Sequence, residues 1–231
     1  MLNVSAIRAI SLDLDDTLWP IGPTILNAEA TLARWLADHA PRTARLFADV
    51  QARQQLRAQL MHSRPDLHHD LSALRRESIR LGLQQSQEDS TLAEPAFEVF
   101  FAERMRVALY ADARTALARL SARYPLVALS NGNADVGRVG IGEFFAASVS
   151  AREFGVAKPD ARIFHAAAAA AGVDAAQVLH VGDDPLLDML GGLQAGMQVA
   201  WVNRGQQPWA HEALPHADVA DLHALCQLLA A

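Results

Sequence analysis

The sequence predicts an α/β protein, a doubly wound parallel-sheet core into which a bundle of helices is inserted. Three observations carry this expectation. Short apolar runs bounded by turn residues recur along the chain. Helix-length segments separate the later runs. Between the first two runs lie roughly a hundred residues that are almost wholly helical in pattern, too many for one crossover connection.

The elements follow in chain order. Residues 7–14 are mostly apolar, as in a short buried strand. Residues 20–109 then repeat apolar side chains at helical spacing: Ile25, Leu32, Trp35 and Leu36; Leu46, Phe47, Val50, Leu56 and Leu60; Leu67, Leu71 and Leu74; Phe97, Phe100, Phe101 and Met105. Four helices in a small bundle account for them. The expected division is a core of residues 1–19 and 110–231 and an inserted helical cap of residues 20–109. Residues 112–122 read as a helix leading back to the core. Strands are expected at 126–130, 178–181 and 197–202, with a weaker one at 147–150. Helices over about 160–171 and about 185–195 close at Gly172 and Gly196. The six alanines of residues 166–171 combine high helix propensity with close approach to a sheet. Parallel strands need crossovers, so strand and helix in alternation mean a sheet covered on both faces.

Composition narrows the function classes. With 51% apolar and 20% charged residues among 231, the chain is that of an ordinary globular protein, and no apolar run approaches the ~20 residues of a membrane helix. Arg8 and Asp13 interrupt the first residues too soon for a signal peptide. Twenty basic against 26 acidic residues give a net charge of −6, and no basic block is present, so neither nucleic acid nor a membrane is an expected partner. The single cysteine, Cys226, cannot form an internal disulfide. It suits a buried apolar position and a reducing, cytoplasmic location.

Ligands of open parallel sheets bind beyond the carboxyl ends of the strands, so the residues that follow each strand converge. In AISLDLDDTLWP these are Asp13, Asp15 and Thr17, and the three anions Asp13, Asp15 and Asp16 repel one another unless something positive sits among them. After the second strand come Ser130, Asn131 and Gly132; then Lys158; then Gly182, Asp183, Asp184 and Asp188. Carboxylates from two strands match the hard oxygen ligation of Mg²⁺, which keeps waters and accepts substrate phosphate, and Asp13, Asp15 and Asp183 are the candidate ligands. Asp13 and Asp15 can share the pocket only if the strand ends between them. Asp13 is then the candidate nucleophile toward phosphorus, and Asp15 the acid and base. Ser130, Asn131 and Lys158 are candidates to hold phosphate, with Thr17, Asp184 and Asp188 in support, Asp188 by orienting Lys158 or a metal-bound water. Local structure offers other uses: helix capping for Asp184 and Asp188, a turn for Thr17, and left-handed backbone around Gly132 for Asn131. Trp19 suits either stacking on a planar substrate ring or packing, and His180 a hydrogen-bonded core position. His68 and His69 lack the spacing of a helical ligand pair.

DLDDT, the serine of LSNGN, the lysine of AKPD and GDDPLLD resemble, in order, the four motifs of the haloacid dehalogenase superfamily of phosphohydrolases. The resemblance implies a doubly wound core, Mg²⁺, an aspartyl-phosphate intermediate and a helical C1 cap that closes to exclude water and test the substrate. Dehalogenating members carry no acid at the position of Asp15, so its presence favours phosphate chemistry. RPDLHHDLSALRRESI and HVGDDPLLDMLGGLQAGMQVAWV further resemble cap-bearing bacterial phosphatases of flavin mononucleotide and of phosphorylated ribitylaminouracil. The expected partner is thus a small phosphorylated metabolite. Nucleotides or sugar phosphates are the alternative substrates, and a catalytically silent metal- and phosphate-binding module is the alternative of another class.

Overall fold

The apolar runs become strands of one six-stranded parallel sheet: β1 (Ala9–Leu12), β2 (Leu126–Ser130), β3 (Ala147–Ser150), β4 (Val178–Gly182), β5 (Gln198–Val202) and β6 (Ala217–Val219). Their spatial order is β3-β2-β1-β4-β5-β6, and every pairing is parallel. All residues of β1, β2, β4 and β5 are buried, as continuous apolar runs require. The order reverses at β1, which pairs with β2 on one side and β4 on the other, and this switch point is where such sheets bind ligands. The computed structural model describes residues 1–230, and contacts divide the chain into two units, Met1–Pro20 with Ala108–Ala231, and Ile21–Val107.

The second unit is helical: α1 (Ile21–His39), α2 (Pro41–Ala48), α3 (Val50–Ser63), α4 (Leu71–Gln85) and α5 (Ala93–Arg104). Its core includes Leu32, Leu36, Leu56, Leu60, Ile79, Leu83, Phe97 and Phe100. Five longer helices therefore stand, among the described residues, where the apolar spacing suggested four. The difference lies at Asp49, whose carboxylate accepts from the backbone N–H of Gln51 and Ala52 and starts α3 afresh while the apolar stripe runs on. α2 opens on Pro41 with no side-chain cap of its own. Glu88 supplies one, accepting from Arg42 N (3.0 Å), Thr43 N (2.8 Å) and Thr43 Oγ1 (2.6 Å).

In the first unit the helices are α6 (Ala113–Ser121), α7 (Val136–Val139), α8 (Ala151–Phe154), α9 (Ala161–Ala170), α10 (Gly191–Gln194) and α11 (Leu222–Leu228). α9 lays Ile163, Phe164, Ala167 and Ala168 against Ala9, Val127, Leu129 and Val178, with the alanines keeping the helix near the sheet. α6 packs with α11, where Cys226 is buried as expected of an apolar filler. The helix expected over 185–195 is instead a π-helical stretch, Pro185–Leu190, running into α10. Among the described residues no helix is long and apolar enough to cross a membrane.

Candidate active site

β1 ends at Leu12, ahead of both acids, and the amide of Asp13 still bonds the carbonyl of Val181 on β4 (2.9 Å). Asp13 and Asp15 are thereby released from strand alternation. Asp13 is buried, and its Oδ1 accepts from Lys158 Nζ at 2.5 Å. Among the described residues no donor reaches its second oxygen. The Lys158 ammonium also bonds Asp188 Oδ1 (2.6 Å), which leaves one of its three N–H groups for a further acceptor. Asn131 fixes the lysine's backbone: its Nδ2 donates to Lys158 O (2.9 Å), and its Oδ1 accepts from Lys158 N (2.7 Å). The side-chain carbonyl and one amide proton of Asn131 are thus taken up in holding Lys158, which leaves its second amide proton and its backbone N–H.

Asp188 is the hub behind the lysine. Its Oδ1 also meets His180 Nε2 (3.0 Å), and its Oδ2 accepts from the Asp184 amide (3.1 Å). The other ring nitrogen of His180 lies 2.8 Å from Ser11 Oγ, and a neutral imidazole would donate to Asp188 and accept from Ser11. Burial holds the His180 pKa below its usual value. Burial opposes ionisation of Asp188 as well, but the Lys158 charge and the His180 bond overcome it and pull its pKa well down. Lys158 is correspondingly raised, its burial outweighed by Asp13 and Asp188. Gly182 is required beside this hub, since a Cβ there would collide with the Asp188 carboxyl group.

One oxygen from each of Asp13, Asp183 and Asp188 falls within a cluster 4.8 Å across. Asp188 already serves Lys158, His180 and the Asp184 amide, which leaves Asp13 and Asp183 the less committed of the three. Thr17 Oγ1 donates to Asp183 Oδ1 (2.9 Å), and Trp201 Nε1 donates to the Asp183 carbonyl (2.8 Å), which fixes the second strand's acid. Burial drives Asp13 well above the carboxylate range despite Lys158. Burial, then the charge of Asp188, pushes Asp183 up to about 7. Two acids that resist ionising so close together fit a divalent cation, whose charge would return both to carboxylates.

Asp15 is not one of the three acids in that cluster. Its side chain turns the other way, where Oδ1 accepts from Trp19 Nε1 (2.8 Å) and Oδ2 lies against Gly132 so closely that a Cβ there would collide with it. Ser130 Oγ accepts from the Gly132 amide (2.9 Å), and the hydroxyl proton remains to be donated. Asp184 accepts from the amides of Leu186 and Leu187 (both 2.8 Å), so it caps the π-helical stretch. Trp19 is fully buried, which removes it as a stacking surface for a substrate ring.

Sequence reasoning passed over Arg204. Its guanidinium binds Asp112 with two nitrogens (3.0 and 2.9 Å), donates to the Thr17 carbonyl (3.0 Å) and lies over the Tyr110 ring at 3.9 Å. It follows β5, so the rule that collected the other residues would have found it there.

A family profile described as haloacid dehalogenase-like hydrolase matches residues 7–196. The chain is 31% identical, over 96% of each sequence, to 5-amino-6-(5-phospho-D-ribitylamino)uracil phosphatase YigB of Escherichia coli. It is also 31% identical to phosphoserine phosphatase of Thermus thermophilus, over 93% of this chain and 96% of that one. A solved structure described as a 2-haloacid dehalogenase from Pseudomonas syringae pv. Tomato superposes with a TM-score of 0.92 at 37% identity, covering 97% of this chain and 98% of the other.

Proposed function

Because this chain belongs to the haloacid dehalogenase-like hydrolases, we propose that it is a Mg²⁺-dependent phosphatase of a small metabolite, working through a phosphoryl group carried on Asp13. The observation that carries this reading is the Asp13 carboxylate, gripped on one oxygen by Lys158 and open on the other, beside Asp183. Mg²⁺ held by Asp13 and Asp183 would neutralise their charge and that of the substrate phosphate.

The residues then divide the work. Asp13 attacks phosphorus with its second oxygen as the ester O–P bond breaks. The remaining N–H of Lys158 and the hydroxyl of Ser130 hold phosphoryl oxygens as charge shifts onto them. Asp15 gives its proton to the departing oxygen. As a carboxylate it next takes a proton from the water that attacks phosphorus, which releases inorganic phosphate and restores Asp13. His180 and Asp188 keep Lys158 in place, and Thr17 does the same for Asp183.

The substrate we propose first is 5-amino-6-(5-phospho-D-ribitylamino)uracil, with flavin mononucleotide next. Its support is the Escherichia coli relative, which spans the whole comparison. The same reading includes a cytoplasmic location, supported by the lone buried cysteine. The solved 2-haloacid dehalogenase favours a second reading, halide displacement by Asp13. Asp15 argues for phosphate: an alkoxide leaving group needs a proton, and a halide does not.

One panel separates these readings. Purified protein is offered both ribityl phosphates, phosphoserine, a pyrimidine 5′-nucleotide, p-nitrophenyl phosphate and 2-chloropropionate, with and without EDTA. We expect phosphate release that EDTA abolishes and that Asp13→Asn lowers by at least about a thousandfold with the fold intact. Halide release without phosphate release, or undiminished hydrolysis by Asp13→Asn, would overturn the reading.

A further inference from the structure

We propose that Trp19 is a positioning residue for Asp15, its indole N–H holding Oδ1 and so fixing the carboxyl group beside the loop after β2. The inference rests on the phosphatase reading above. An indole N–H can only donate, so the 2.8 Å bond from Trp19 Nε1 requires an acceptor at Asp15 Oδ1 in both protonation states. The other oxygen faces the loop after β2, where Gly132 has no side chain to displace it and Ser130 presents its hydroxyl.

The backbone makes the same tie. The chain turns at Asp16, in left-handed conformation at φ 59°, and the Asp16 amide bonds the Trp19 carbonyl (2.7 Å) while the Leu18 amide bonds Leu14 O (2.8 Å). Residues 15 and 19 form an isolated bridge, so the indole is brought back onto the acid four positions before it. When the Asp15 carboxyl group passes its proton to the leaving oxygen, the electron pair of that O–H bond stays on the carboxylate. The indole N–H already bonded to Oδ1 stabilises the charge that develops there.

A buried tryptophan also fills space, and the test must separate packing from hydrogen bonding. The distinguishing readout is leaving-group dependence: kcat/KM reports the step in which the ester bond breaks, and only poor leaving groups need the proton. Trp19 is replaced by phenylalanine (Trp19→Phe) and, at full bicyclic volume, by β-(3-benzothienyl)alanine, which has no N–H. Each protein is assayed with an alkyl phosphomonoester and with p-nitrophenyl phosphate.

The expected result is a loss of kcat/KM about tenfold larger on the alkyl ester than on the nitrophenyl ester. The differential should vanish when the same replacement is made in Asp15→Asn, where no acid remains to be positioned. Should Trp19→Phe fail to fold, the benzothienyl protein carries the test. Equal losses on both esters, or no loss, would overturn the assignment of Trp19 and leave the phosphatase reading standing. A wild-type protein inactive on every phosphomonoester would overturn that reading and this one with it.

Discussion

The two units handle buried polarity in opposite ways. In the helical unit the buried polar or charged side chains are Thr24, Thr43, Ser72 and Arg104, one to a helix, and its ion pairs lie where water reaches at least one partner. Its perturbed acids are eased toward ionisation: Glu88 is lowered, its burial outweighed by bonds from Thr43 and Arg42, and Asp66 is lowered by Arg64. In the α/β unit Asp13, Thr17, Ser130, Lys158, His180 and Asp188 gather at the ends of β1, β2 and β4, and burial drives Asp13 and Asp183 the other way. One unit uses its charges to hold helices together. The other keeps acids in conflict at a place where a cation and a phosphate would resolve it, and that concentration marks the chemistry.

The comparison breaks most sharply at Lys158. Lys158→Met leaves two buried carboxylates without their cation, so stability should fall by about 3 kcal/mol or more in chemical denaturation, and turnover by about a hundredfold or more in a phosphate-release assay. Unchanged values for both would mean that the polar cluster is incidental.

A gentler probe is pH. Asp183 has a folded pKa near 7, above its unfolded value, so the protonated acid favours the metal-free fold below the unfolded value and that contribution is lost as pH rises through about 7. A bound cation removes the conflict. The gain in Tm on adding Mg²⁺ should therefore be larger at pH 8 than at pH 6 by scanning calorimetry, and an equal gain at both would mean that Asp183 is not a ligand.

The helical unit offers the smallest effect. Glu88→Gln weakens the cap on α2, and thermal melting should show a loss of about 1 kcal/mol while kcat on p-nitrophenyl phosphate stays unchanged. A drop in kcat larger than the drop in stability would blur the division.

Much of the fold was legible because buried parallel strands advertise themselves as apolar runs, as β1, β2, β4 and β5 do. β6 has three residues, two of them not buried, and so short a segment carries no periodicity to read. The break between α2 and α3 was hidden because a helix stripe can continue in phase across a capping aspartate. The acids and Lys158 stood out through spacing after strands. The uses of Asn131, Thr17 and Trp19 did not, because each depends on which partner a side chain reaches: Lys158 27 residues on, Asp183 166 residues on, and Asp15 across a turn. Residue type was visible in the sequence, whereas direction came only with the backbone.

The central claim is that Asp13 itself captures the phosphoryl group. Wild-type protein and Asp15→Asn, mixed with a turned-over phosphomonoester and quenched in acid within milliseconds, can be digested and mapped by mass spectrometry. The account predicts a phosphoryl group on the peptide that carries Asp13, lasting longer in Asp15→Asn, where the second step lacks its base. An unmodified Asp13 peptide during active turnover, or a phosphoryl group on another residue, would contradict it.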